Sequence, residues 1–197
     1  MNFDDAARRW DTPMRRERAE ILASQIRSAW RGRPDSVLDY GCGSGLIAFN
    51  LRSHAGMVYG YDASREMGRV FQEKREALHA DNVRLLTEEE TRLLTYDVVV
   101  SSMVMHHIPD VGAEIAGLKR LLKPDGRAIW VDLDADDGSF HADDPGFDGH
   151  NGFDRDEVRR VLTGCGFESV NVRTIFEGEK IVNGKAVPYS LFMAVAW

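Results

Sequence analysis

Apolar positions along the chain change period repeatedly. Short apolar runs, each stopped by Gly, Asp or Pro, alternate with stretches in which apolar residues recur every three or four positions. The first pattern reads as buried strand and the second as amphipathic helix. Near the start, Ala6, Trp10, Met14, Ile21, Leu22, Ile26 and Trp30 give a helical stretch over 5–30, broken at Thr12-Pro13. Thr12 is placed to cap a second helix whose first turn accepts Pro13. Strands are then expected at 37–40, 57–61, 83–86, 96–103 and 127–133, and helices at 46–54, 64–80 and 111–122. In the helix at 64–80, Ser64 is the cap, and Met67, Val70, Phe71 and Leu78 share a face. Lys123-Pro124-Asp125-Gly126 reads as a helix stop and turn. Residues 134–153 have no period and form a loop longer than compact domains usually carry without a function. A helix at 154–165 and strands at 167–176 and 189–196 complete the chain, the last two joined by a hairpin connection over 177–187 that contains Asn183-Gly184.

Strand–helix alternation of this kind implies a parallel sheet with helices on both faces, ending in an antiparallel pair. We divide a single domain into a helical N-terminal cap (1–32), a ligand-binding half (33–133), a substrate-side loop (134–153) and a C-terminal helix with two strands (154–197).

Composition narrows the function. The 197 residues are 43% hydrophobic and 29% charged, as in ordinary globular proteins. A net charge of −7 disfavours a nucleic-acid partner, which asks for a basic face. Arg8, Arg9, Arg15, Arg16 and Arg18 cluster near the start and read as a solvated helix face. No apolar run approaches the roughly 18–20 residues of a spanning helix, and the acidic start lacks a signal-peptide layout. Cys42 and Cys165 form no pair motif, so both are expected as free thiols in a cytoplasmic protein.

The densest chemistry lies in Val37-Leu38-Asp39-Tyr40-Gly41-Cys42-Gly43-Ser44-Gly45, a strand entering a helix through alternate glycines. Leu46 occupies the position of the third glycine of a dinucleotide fingerprint, and no Lys-Ser/Thr pair follows to make a phosphate loop. What the chain resembles instead, over about 3–197, is the class I S-adenosylmethionine-dependent methyltransferase family. The resemblance rests on that glycine turn, on Asp62 in Val58-Tyr59-Gly60-Tyr61-Asp62-Ala63-Ser64, on Tyr96–Met103 followed by Val104-Met105-His106-His107-Ile108, and on Leu121-Leu122-Lys123-Pro124-Asp125-Gly126. The implied fold is a Rossmann-like, doubly wound, seven-stranded sheet, mostly parallel with an antiparallel C-terminal strand. The implied cofactor is S-adenosyl-L-methionine, with S-adenosyl-L-homocysteine as product. Asp39, Gly41, Cys42, Gly43 and Gly45 would then surround its methionine and ribose portions. Asp62 suits the ribose diol, since a carboxylate accepts from both hydroxyls. Ala63 and Met67 would flank the adenine, Glu88 would meet its amino group, and Ser101 would lie near the cofactor. Cys42 between glycines reads as a small side chain packed under the turn rather than a nucleophile.

Methyl transfer from a sulfonium needs alignment, exclusion of water and, for a protonated acceptor, a base. His106 is the leading base candidate, against a structural role for the His106-His107 pair at a helix start. The loop at 134–153 adds His141 and His150 with Phe140, Phe147 and Phe153, and reads either as a substrate lid with aromatic walls and an occasional base, His141 the second catalytic candidate, or as a mobile acidic loop. Asp132-x-Asp134-x-Asp136 begins like a calcium loop but lacks its glycine and its final glutamate. The four histidines show no compact ligand spacing, so no metal is expected. Phe3, Trp10 and Met14 suit a cap over the cofactor. The expected partner is a small-molecule acceptor, with no nucleic acid and no membrane, for a monomer or homodimer. A cofactor-binding sensor or partner subunit without turnover is the alternative.

Overall fold

Seven strands build the expected sheet in a computed structural model that describes residues 2–197. They are β1 (Ser36–Tyr40), β2 (Met57–Tyr61), β3 (Val83–Leu85), β4 (Tyr96–Ser102), β5 (Leu122–Leu133), β6 (Val170–Val182) and β7 (Lys185–Ala196), in the order β3-β2-β1-β4-β5-β7-β6. The first five run parallel, and β7 lies antiparallel to both β5 and β6. Strand order reverses at β1, which pairs with β2 on one side and β4 on the other. The turns leaving β1 and β4 therefore diverge to opposite faces and open a crevice at the carboxyl edge.

Helices cover both faces. From α2 (Pro13–Ser28), α3 (Leu46–Leu51) and α4 (Arg65–Ala77), residues Leu22, Ile26, Ala48, Leu51 and Phe71 pack on Val37, Val58, Val98 and Val100. From α6 (Val111–Lys119) and α7 (Arg155–Gly164), residues Ile115, Leu118, Val158 and Leu162 pack on Leu38, Val99 and Trp130. Successive strand residues point to opposite faces, and both faces are buried, so Val98-Val99-Val100 is apolar without alternation. The helix starts follow the sequence. Thr12 Oγ1 accepts from the Arg15 N–H at 3.3 Å, and Ser64 Oγ from the Met67 N–H at 3.2 Å. Asp154 caps α7 through the N–H groups of Asp156 and Glu157.

Four features differ from the sequence reading. Helix α4 stops at Ala77, so Leu78 leaves the apolar face and is exposed. A short helix α5 (Glu88–Arg92), carried by a Thr87–Glu90 capping box, occupies what looked like an acidic turn. Lys123–Gly126 bulges within β5, which pairs Leu122 with Tyr96 and resumes with Arg127 opposite Val98. Lys123 Nζ reaches both carboxylate oxygens of Asp97 at 3.0 Å, anchoring the bulge to β4. The supposed connection at 177–187 is mostly strand: β6 and β7 extend to a two-residue turn in which Asn183 (φ 49°) and Gly184 (φ 77°) both take positive φ. That geometry matches the strand twist and lets a long ribbon form.

Phe71 ties the core to the crevice. It is fully buried, its ring lies 5.0 Å from that of Phe49, and a Cβ on Gly45 or Gly60 would strike it. We expect Phe71→Ala to destabilise the fold by about 3–5 kcal/mol in urea unfolding, with the m-value preserved.

Candidate functional site

The crevice at the reversal point is a cavity of about 280 Å³. Its floor is the turn between β1 and α3, where Gly41, Gly43 and Gly45 take φ of +73°, +54° and +87°. Gly41 is obligatory also on contact grounds, since a Cβ there would lie 2.4 Å from Val104. Three consecutive N–H groups of this turn are satisfied by the end of β2. Those of Gly41 and Cys42 donate to the Tyr61 carbonyl at 2.8 and 2.9 Å, and that of Gly43 donates to Asp62 Oδ2 at 2.7 Å. The other oxygen of Asp62 accepts from the Ser64 N–H at 2.8 Å.

Asp39, next to last in β1, has its carboxylate buried. Gly45, at the N-cap of α3, has no side chain to accept a bond, and Asp39 Oδ2 supplies it by accepting from the Ala48 N–H at 3.0 Å. Burial pushes the Asp39 carboxyl up to about 7, against that stabilising bond, and the nearby Asp62 charge adds to the rise. Asp62 is also raised, by burial first. Cys42 lies buried beside the Gly60 backbone, and burial followed by these two acids raises its thiol well above normal. That leaves it a packing group.

The N-terminal segment roofs the cavity. Phe3, in α1 (Phe3–Ala6), and Trp10 line it, their rings 5.7 Å apart and near edge-on. Asp4 and Asp11 latch this roof to the floor. Asp4 accepts from the Ser64 hydroxyl and Asp11 from the Ser44 hydroxyl, both at 2.5 Å, and Lys74 pairs with Asp11 while donating to the Ser44 carbonyl at 2.7 Å. Met14, by contrast, is exposed. Arg15 and Arg18 turn into the cavity rather than forming the solvated face expected of them. The Arg15 guanidinium lies 3.8 Å over the Trp10 ring, and Arg18 donates to the Tyr189 hydroxyl at 3.0 Å. The roof latches and the Arg18–Tyr189 bond escaped the sequence reading because each joins residues distant in the chain.

Of the residues named from the sequence, Asp39, Gly41, Cys42, Gly43, Asp62, Ala63 and Met67 line the cavity. Gly45, Glu88 and Ser101 do not. Gly45 sits behind the turn against Phe49 and Phe71. Glu88 is exposed at the start of α5 and pairs with Arg92 at 2.5 Å. Ser101 points into the core, and Ser102, one residue on, reaches the cavity. Met103 follows with a positive φ of 60°, an uncommon backbone state for a long side chain that here serves the cavity wall.

Three histidines gather at the other end of the crevice. His106 and His107 follow β4 in a 3-10 turn, and His141 follows β5 in another. Ring centroids lie 4.1 Å apart for His106–His107 and 5.2 Å for His106–His141. His107 lines the cavity and meets Phe3 edge-on at 5.1 Å, whereas His106 is buried behind it. His106 Nδ1 lies 2.5 Å from Asp132 Oδ1. Burial opposes ionisation of Asp132, but the attraction and hydrogen bond of His106, with donors from Leu133 and Trp130, hold its carboxyl below the usual range. Desolvation, followed by the neighbouring His106, lowers His107 to about 3 and His141 to about 4, so both rings are neutral near pH 7. The compact spacing missing from the sequence is thus made by the fold.

The loop at 134–153 is fastened over this cluster. The His150 N–H donates to the His106 carbonyl at 2.7 Å, and His150 Nε2 lies 3.0 Å from the Ile108 carbonyl. Lys180 on the β6–β7 ribbon binds the Phe140 carbonyl and Asp143. Phe140 and Phe153 are buried anchors, and Phe147 stacks on His141 at 3.7 Å. The acids of the supposed calcium loop serve three separate ends. Asp132 holds His106, Asp134 pairs with Arg155 and Ser190, and Asp136 caps the turn at Gly138 and Phe140.

Comparison with known proteins places this architecture. A family model described as a methyltransferase domain matches residues 14–172. An uncharacterized methyltransferase of Schizosaccharomyces pombe is 27% identical over 177 residues, covering 83% of this chain and 59% of its own length. A ubiquinone biosynthesis O-methyltransferase of Coxiella burnetii is 26% identical over 141 residues, covering 65% of this chain and 58% of its own. The chain thus spans a little under three fifths of these relatives. Among solved structures, a SAM-dependent methyltransferase from Aquifex aeolicus superposes with a TM-score of 0.68 at 22% identity, over 98% of this chain and 97% of that one. Magnesium protoporphyrin IX methyltransferase from Synechocystis, with bound SAH, gives 0.66 at 24%, over 92% and 83%. Among the described residues no helix is long and apolar enough to cross a membrane.

The raised pKa of Asp39 has a consequence for stability. The folded state holds its proton more tightly than the unfolded chain, so this contribution is complete below about pH 4 and is lost as pH rises through about 7. Asp39→Asn keeps an acceptor for Ala48 without the buried charge. We expect the variant to gain on the wild type by a few kcal/mol, on the order expected for a shift of this size, between pH 4 and pH 8 in denaturant melts of the ligand-free protein.

Proposed function

Because this chain belongs to the methyltransferase-domain family, we propose that it binds S-adenosylmethionine in the cavity and transfers the methyl group to a small acceptor by in-line displacement. The observation that carries the reading is the joint lining of one cavity by the glycine turn, Asp62 and the paired roof aromatics. Glycine backbone allows close approach by the methionine and ribose portions. Asp62 would accept from the two ribose hydroxyls with the lone pairs left over beside its bonds from the Gly43 and Ser64 N–H groups. Arg15 and Arg18 supply the positive charge suited to the methionine carboxylate, and Asp39 lies under the same end. Ala63 and Met67 offer the apolar wall for adenine.

The roof excludes water, which a sulfonium donor requires, since the protein's task is alignment more than activation of the donor. Trp10 and Phe3 close the cavity over the reacting end, and the acceptor enters beside His107. His106 and His141 stand behind that ring, so the basic nitrogens of the site are on the acceptor side. A loop fastened beside the histidines favours a small molecule over a polymer.

Calorimetric titration with S-adenosylhomocysteine tests the donor site. We expect Asp62→Ala to weaken binding by about tenfold or more, the loss of roughly one charged hydrogen bond or two. Gly43→Val places its side chain toward Trp10 and Met67, inside the ligand space, and should abolish binding while circular dichroism shows the fold retained. Unchanged affinity in both variants refutes the assignment. Acceptor pools screened for S-adenosylhomocysteine release, with the product read by mass spectrometry, identify the acceptor.

A further inference from the structure

The donor cavity makes no use of the ring nitrogens of three histidines beside it. His106, His107 and His141 each offer one nitrogen, and the three nitrogens lie within 4.8 Å of one another. Two observations distinguish this arrangement from accidental crowding. Asp132, fully buried, accepts from His106 Nδ1 and also from the His106 and Leu133 backbone N–H groups and Trp130 Nε1. A carboxylate so fixed holds the ring orientation and leaves Nε2 as the lone-pair nitrogen, the support that ligating histidines usually carry. Secondly, His141 Nδ1 is buried with no hydrogen-bond partner among the described residues, although its ring is held flat against Phe147 at 3.7 Å. An orphaned buried nitrogen of this kind is destabilising unless something occupies it.

We propose that His106, His107 and His141 form a site for one divalent transition-metal ion, oriented by Asp132 and open toward the cavity on the His107 side. Three imidazole donors without a hard oxygen ligand suit Zn²⁺ or its Co²⁺ and Ni²⁺ neighbours rather than Mg²⁺ or Ca²⁺. Tetrahedral zinc with bonds near 2.0–2.1 Å wants ligand nitrogens about 3.4 Å apart, so the rings would draw together on binding. Three protein donors would leave a fourth position for water or substrate, as in open catalytic sites rather than closed structural ones.

This placement defines an acceptor class, and that part alone rests on the methyl-transfer reading. An acceptor hydroxyl bound to the ion loses its proton to water at a lowered pKa. The oxygen lone pair forms the O–CH₃ bond as the S–CH₃ bond breaks, its electron pair remaining on sulfur. The products are a methyl ether, S-adenosylhomocysteine and one proton. His106 is then a ligand rather than the free base read from the sequence.

The test is metal binding by the whole chain, stripped with chelator and titrated at pH 7.5 with Zn²⁺ by calorimetry and with Co²⁺ by visible absorption. We expect one ion per chain and the intense d–d bands of low-coordinate Co²⁺. His106→Ala and His141→Ala should each weaken binding at least tenfold. Asp132→Asn, acting through His106, should weaken it about tenfold and shift its pH dependence. His79→Ala, on the surface outside the cluster, should change nothing. The same variants, checked for fold by circular dichroism, should keep their S-adenosylhomocysteine affinity. Substoichiometric binding, octahedral-type weak Co²⁺ bands, or His→Ala variants that bind as well as the wild type overturn the proposal. Metal binding at this cluster without S-adenosylhomocysteine binding would retain the metal site and refute the donor assignment instead.

Discussion

Three successive amides of the glycine turn, at Gly41, Cys42 and Gly43, are held by the end of β2, and the rest of the site depends on that stitching. A turn of alternate glycines has little intrinsic reason to choose one conformation, since glycine reaches both signs of φ freely. The Tyr61 carbonyl and the Asp62 carboxylate remove that freedom. They also account for why β1 and β2 must lie side by side and in register, with Tyr40 opposite Tyr61. Once the turn is fixed, Gly41 brings the backbone against Val104, and the segments following β1 and β4 become two walls of one cavity.

Asp39 and Asp62 show how one chemical type divides between two tasks. Asp39 is sealed beneath the turn and substitutes for a cap that Gly45 cannot make, at the cost of a carboxyl pushed toward neutrality. Asp62 is only partly enclosed, and its two oxygens, each taking one backbone N–H, keep lone pairs for further donors. Burial ranks the two: the more enclosed acid is structural first, and the accessible one is free to recognise a ligand. The same logic separates Ser101 from Ser102, where strand alternation sends neighbours to opposite sides.

The donor half was largely legible in the sequence because its information is local. The strand-to-helix turn from Val37 to Gly45, the caps Thr12 and Ser64 and the acid closing β2 each declare themselves within a few residues. What escaped was set by pairing over distance. Arg15 and Arg18 looked like members of a basic helix face, and only the position of α2 over the crevice turns them inward. The strands beyond Phe176 carry enough polar residues to look like a connection, yet the ribbon forms because Asn183-Gly184 supplies a turn of the right twist and β6 pairs with β7 from Val170 out to Val182. Lys123-Pro124-Asp125-Gly126 reads as a turn locally, but it is a bulge inside β5 that the sheet spans by shifting register between Tyr96 and Val98.

The histidine cluster is the extreme of this non-local assembly. His106 and His107 leave β4, His141 leaves β5, and no window of sequence contains them together. Their meeting requires the loop at 134–153 to be fastened from two sides, by Lys180 on the ribbon and by His150 on the carbonyl of His106 itself. A loop that merely covered an entrance would not need its second anchor at the histidine turn. Gly149 shows how close the fit is, since a Cβ there would lie 2.1 Å from the His106 carbonyl oxygen. The loop is thereby pinned against the histidine turn rather than lying free above it.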